Sequence, residues 1–234
     1  MAHDRLNRIL TELSAIGADG WSSARLCEVF PGIVGVNGAG VMLMSGDIRR
    51  GSLGSTDEVS QLIEELQYGL GEGPCIDAHQ QDRVVAEPDL ANPSIHRWPS
   101  FSPPVLEAGV RAVFGFPLHV GGVRLGALDL YRDSPGPLTD NQHADALVLA
   151  DVASSWVLEA QARADPDTVA AALEVGADFH LRVHNAAGMV SVQLGVSITE
   201  ALIRLRGYAF GEGRLLAEIA EDVVARRLRF SDPS

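Results

Sequence analysis

Strand-forming sequence ends at Arg132. Before it, apolar runs recur at strand length, the clearest being AVFGFPLHV and RLGALDLYR joined by Gly121-Gly122. A two-glycine link between such runs is a hairpin signature, because glycine enters the positive-φ turn that the strand twist demands. After Arg132 the periodicity is helical throughout. The chain therefore reads as α+β: an antiparallel sheet with flanking helices over 1–160, then an all-α unit of three helices over 165–234.

Residues 1–30 read as two helices separated at Asp19-Gly20 and closed by Pro31-Gly32. VGVNGAGVMLMS and DIRRGSLGST read as a strand and its hairpin partner. DEVSQLIEELQYGL follows as a helix, with Val59, Leu62, Ile63 and Leu66 at helical spacing and Asp57 and Glu58 where the dipole favours acids. From Gly69 to Pro104 the glycine, proline and aspartate content predicts a long loop region with one short strand at RVVAE, of the kind that lines a site. The hairpin at 112–132 should pair into the sheet, with the helices on one face. A helix from Asp140 to about Ala164 comes next, and Asp165-Pro166 caps another. Helices are expected over 166–194, 197–210 and 214–229, with breaks at Gly195, Gly211 and Gly213. Ser197 and Glu200 have capping-box spacing and open a stripe of Ile198, Ala201, Leu202 and Leu205.

Charge and composition exclude several classes. The formal net charge is −13, all 18 basic residues being arginine, and 46% of residues are hydrophobic, which supports a core and argues against disorder. No apolar run reaches the roughly 18 residues of a spanning helix. The N-terminus lacks an export pattern, so a cytoplasmic location without membrane contact is expected. Cys27 and Cys75 are too few for a disulfide framework or a four-ligand zinc site and are expected as free thiols. His180 and His184 share a helical face but lack a third ligand, and His96 stands alone in a loop. No metal site or cofactor is therefore assigned.

Two stretches carry a more specific resemblance. GLGEGPCIDAHQQDRVVAEPDL at 69–90 and RAVFGFPLHVGGVRLGALDLYRDSPGPLTDNQ at 111–142, with VNGAGVMLMS upstream, resemble a GAF domain. HNAAGMVSVQLGVSITEALIRLRGYAFGEGRLLAEIAEDVVARRL at 184–228 resembles an ANTAR domain, the three-helix RNA-binding module of bacterial transcription antiterminators. The family features fall on Ala186, Gly188, Ser197, Glu200, Ala201, Leu205, Ala209, Arg214 and Ala220. Ala187 replaces a lysine common in that family.

The resemblance to GAF domains implies a small-molecule pocket between sheet and loops, or a dimerisation role. Candidate pocket residues are Cys75, Asp77, Asp89, Trp98, Phe114 and Phe116. The resemblance to ANTAR domains implies RNA with paired stem-loops as partner, and the candidate contacts are Asn185, Gly188, Arg204, Arg206, Tyr208 and Arg214. Although the whole chain is acidic, 182–229 carries seven arginines against five acids, a local balance that permits phosphate contact. Leu147, Leu149, Val152, Trp156 and Leu158 give the helix after Asp140 more than one apolar face, suited to a homodimer. No nucleophile with a nearby base emerges, and with no second loop cysteine to resolve an intermediate, a non-enzyme is expected. The alternative is a GAF dimer that senses a ligand or protein without binding RNA.

Overall fold

The computed structural model describes residues 2–16, 23–45, 48–163 and 177–231. Helices α1 (Ala2–Ile16) and α2 (Ser23–Val34) precede strands β1 (Gly38–Ser45) and β2 (Ile48–Ser55). Then come α3 (Glu58–Leu70), α4 (Pro74–Gln81), β3 (Val85–Glu87) and α5 (Ser102–Glu107). The hairpin β4 (Ala112–Val120) and β5 (Val123–Arg132) leads into α6 (Asp140–Arg163). Among the described residues, α7 (Ala177–Leu194), α8 (Ile198–Glu212) and α9 (Leu216–Val224) follow. The five strands form one antiparallel sheet in the order β2-β1-β5-β4-β3, so the 112–132 hairpin is central and the three-residue β3 is an edge.

Alternation along the strands separates two cores. Val41, Phe114, Phe116, Leu118, Leu128 and Leu130 face one layer with Phe30, Leu149 and Ala153 from α2 and α6. Met42, Val113, Ala127 and Tyr131 face the other way, towards Ile63, Leu66, Tyr68 and Cys75 of α3 and α4. Helices thus cover both faces, not the single face expected, because neither side of β4 and β5 is polar enough to meet water. Arg8 of α1 closes the first layer by pairing with Asp145 of α6 at 2.7 Å.

The local signals explain most boundaries. Asp57 caps α3, accepting from Ser60 N at 2.7 Å while Ser60 Oγ accepts from Asp57 N at 2.9 Å, and Tyr131 Oη donates to Asp57 Oδ2 at 2.8 Å. Helix α2 continues through Pro31-Gly32 and stops at Gly35, whose φ is +73°. Pro31 lies inside α2 at the cost of one intrahelical hydrogen bond, and this pair does not close the helix. The expected loop from Gly69 contains α4, which Gly73 opens and Pro74 starts. Gly211 lies inside α8 and Gly213, with φ +62°, ends it. The predicted turn at Asp19-Gly20 and cap at Asp165-Pro166 fall outside the described residues.

Helices α7, α8 and α9 pack around Val183, Ala186, Val190, Ala201, Leu205 and Ile219, continuous with the α3 and α4 side of the sheet domain. Ser197 Oγ caps α8, accepting from Glu200 N at 3.2 Å. Ile198, expected in the buried stripe, is exposed, since it is the first residue of α8 and lies beyond the partner helices.

Candidate functional site

The ends of α3 and α4 meet over β4 and β5 around a buried polar cluster. Gln67 of α3 accepts from Cys75 N of α4 at 2.8 Å and donates through Nε2 to Asp129 Oδ2 of β5. Gly73 permits this approach: at φ +132°, a side chain there would place Cβ 2.5 Å from Gln67 Oε1. Gly115 of β4 plays the same part beneath α4, where a Cβ would fall 2.4 Å from Pro74 O. The Cys75 thiol rests against the Asp129 carboxyl. Glu64 is buried one turn earlier on α3, tight against Gly40, with Ser52 beside its carboxyl. Asp129 Oδ1 has no hydrogen-bond partner among the described residues.

Two buried carboxyls cannot both stay ionised here. Burial, reinforced by Asp129, lifts Glu64 well above the usual carboxylate range. Burial pushes Asp129 up to about 7, against the hydrogen bonds from Cys75 and Gln67 that pull it down. Burial and the two acids also push the Cys75 thiol up, and burial does the same to Cys27. The cluster holds protons near neutrality, and neither cysteine is poised as a thiolate nucleophile.

A second, open site lies outside the edge strand β3. It is a cavity of about 270 Å³ walled by Leu90, Ile95, His96, Arg97, Trp98 and Leu106, with Glu87 and three prolines completing it. Trp98 is fixed by donating Nε1–H to Asp77 Oδ2 at 3.1 Å and by an edge contact with Phe101. The Arg97 guanidinium sits 4.7 Å from the Trp98 ring centroid and donates to Ala86 O at 2.8 Å.

The six expected pocket residues therefore part company. Trp98 lines the cavity and Asp77 holds Trp98, while Cys75 belongs to the buried cluster. Asp89 organises the turn after β3, accepting from Ala91 N, Asn92 N and Asn92 Nδ2 at 3.1–3.3 Å. Phe114 and Phe116 face the α2 and α6 layer and belong to its core, because even positions of β4 point away from α4. The expectation missed Gln67, Glu64 and Asp129. An aspartate amid the apolar residues of RLGALDLYR was the available signal, since a charge at an inward strand position must be matched or protonated.

The C-terminal candidates divide as well. Asn185 is exposed on α7, Gly188 is half-buried, and Ala187 is fully buried, so that position meets core and not solvent. Arg204 is exposed and pairs with Glu200 at 3.2 Å. Tyr208, one turn on, is 37% exposed and packs its ring 5.2 Å from Phe230. Phe230 N donates to Gln193 Oε1 at 2.8 Å, which docks residue 230 beside α7 and α8. Arg214 is held by Glu218 at 3.3 Å and Asp222 at 2.9 Å. Arg206 is turned onto Tyr68 of α3. Arg204 and Tyr208 thus lie one turn apart on α8 with Phe230 against the tyrosine ring, while Arg206 and Arg214 are engaged elsewhere.

The architecture is an antiparallel sheet layered between helices, with a buried polar cluster on one face and a helical unit appended. Residues 3–156 match the family model of the GAF domain, and the chain belongs to that family. The match does not reach the three C-terminal helices. Among solved structures, the GAF domain of a phosphoenolpyruvate-protein phosphotransferase from Coxiella burnetii aligns at TM-score 0.50 and 13% identity, over 69% of this chain and 95% of that one. The corresponding domain from Acinetobacter aligns at 0.49 and 16%, over 69% and 96%. These likenesses concern the fold alone. No curated protein matches the chain. Among the described residues no helix is long and apolar enough to cross a membrane by itself, and none of their acids, histidines and cysteines group as a metal site.

Proposed function

We propose that this chain is a non-enzymatic regulator in which the GAF domain senses a small molecule or another signal and the three C-terminal helices bind RNA. The RNA is a transcript carrying tandem stem-loops, and the output is transcription antitermination, as the resemblance of 184–228 to ANTAR domains implies. The observation that carries this reading is the placement of exposed Arg204 and half-exposed Tyr208 one turn apart on α8, with Phe230 against the tyrosine ring and exposed Arg229 next to it in the chain. Guanidinium groups pair with phosphate, and a half-exposed tyrosine offers a face to an unpaired loop base. The raised cysteine pKa values support the absence of thiol catalysis.

A homodimer fits the target, since two helical units would meet two stem-loops and multiply affinity through effective concentration. Leu147 on α6 is 42% exposed beside half-buried Val148, and it offers the start of such a face. The engagement of Arg206 and Arg214 within the protein favours the rival reading, a ligand-sensing GAF dimer that binds no RNA.

Gel-shift titration with a synthetic tandem stem-loop RNA separates the two. Wild type should bind, and replacing Arg204, Tyr208 and Arg229 together by alanine should weaken binding by about 10-fold or more. Identical titrations for the two proteins would remove the assignment of this surface.

A further inference from the structure

The RNA-binding reading leaves one arginine out of place. Arg206 lies two residues from Arg204, yet its guanidinium carbon sits 5.5 Å from the ring centroid of Tyr68, a fully buried residue of the sheet domain. Arg206 Nε is buried without a hydrogen-bond partner among the described residues, and the neutral Tyr68 hydroxyl, not a carboxylate, is what the guanidinium hydrogen-bonds there. Next to Tyr68, Gly69 meets Leu216 of α9, where a Cβ on residue 69 would fall 3.4 Å from the Leu216 Cβ. The last turn of α3 is therefore the face on which the C-terminal helices rest.

Resting on the proposed RNA-binding function, we infer that α3 masks Arg206 and so competes with RNA for it, which makes the docked arrangement the inhibited state. Burial pulls the Arg206 pKa down, against the attraction of Tyr68. A guanidinium taken from water without a counter-charge contributes little net stability. Phosphate supplies the missing charge in a strong, bidentate-capable form. The mask is thus a contact that an anionic competitor displaces once α3 yields. The release point lies one residue away, because Gln67 ties α3 to Asp129 and to Cys75 N. A signal that rearranges this cluster moves Tyr68 and Gly69 with it.

Two variants of the full chain test this. Gly69→Leu inserts a side chain against Leu216 without removing a helix former, and Tyr68→Leu removes the ring under the guanidinium but keeps an apolar core residue. Arginine modification by phenylglyoxal, followed by peptide mass spectrometry, reads Arg206 with Arg204 as the internal reference. In wild type Arg206 should react about 10-fold more slowly than Arg204, and each variant should bring the two rates within about 3-fold. Titration with the same synthetic tandem stem-loop RNA should show affinity rising by about 5- to 10-fold in the variants.

Equal reactivity of Arg204 and Arg206 in wild type overturns the docking. Released Arg206 with unchanged RNA affinity overturns the inhibition. Absence of RNA binding in every protein, with Arg206 protected in wild type and released in the variants, overturns the RNA reading and the inhibition with it, while the docking stands.

Discussion

Asp129→Asn isolates the proton held in the sheet domain. The side chains are nearly the same size, and asparagine keeps an acceptor for Gln67 Nε2. What changes is that residue 129 can no longer ionise. In the folded chain Asp129 titrates at about 7, and its ordinary value is 3.8. Between these values the folded state keeps a proton that the unfolded state has lost, so unfolding releases it and rising pH favours unfolding. The stabilising term is fully present below about 4 and is lost as the pH climbs through 7. Roughly three units at about 1.36 kcal/mol each set a ceiling of about 4 kcal/mol, which local opening of α3 to water would reduce. Urea denaturation of wild type and Asp129→Asn at pH 5 and pH 8 gives the comparison. About two of those three units fall between pH 5 and pH 8, so wild type should lose stability relative to the variant by about 2–3 kcal/mol over that interval. Parallel pH dependences for the two proteins would refute the buried, raised carboxyl.

Three further outcomes follow from contacts already described. Asp57→Ala removes the α3 cap and the partner of Tyr131 Oη and should cost about 1–3 kcal/mol, read by urea denaturation. Gly115→Ala forces a Cβ against the Pro74 carbonyl and should cost about 1–3 kcal/mol, with a lowered melting temperature by calorimetry. If Arg204 meets phosphate, Arg204→Ala should shallow the slope of log affinity against log salt by about 0.7–0.9, whereas Arg214→Ala, whose group is held by Glu218 and Asp222, should change it less.

The central hairpin was legible because alternation and a two-glycine turn are local signals, and β4 spans the predicted AVFGFPLHV run. Helix α4 was hidden because its start depends on Gly73 and Pro74, residues that read equally well as turn formers. The face assignment of Phe114 and Phe116 could not be read from alternation, which groups them correctly but does not say which side of the sheet receives α3 and α4. Gln67 was invisible for a related reason: its role depends on β5 arriving beneath α3, a contact 62 residues away in sequence. On α8, Arg204 and Arg206 are two residues apart and so point to different faces. Only tertiary packing shows that one of those faces belongs to the sheet domain.

RNA binding by the C-terminal helices is read by ultraviolet crosslinking of the full tagged chain in its own cells, followed by sequencing of the attached RNA and mass spectrometry of the crosslinked peptides. Transcripts with tandem stem-loops should be enriched, with crosslinks on peptides containing Tyr208 or Phe230. RNA recovery no greater than from an untagged control, with folded dimeric protein confirmed in the same cells, would contradict it and leave a GAF sensor whose helices serve another partner.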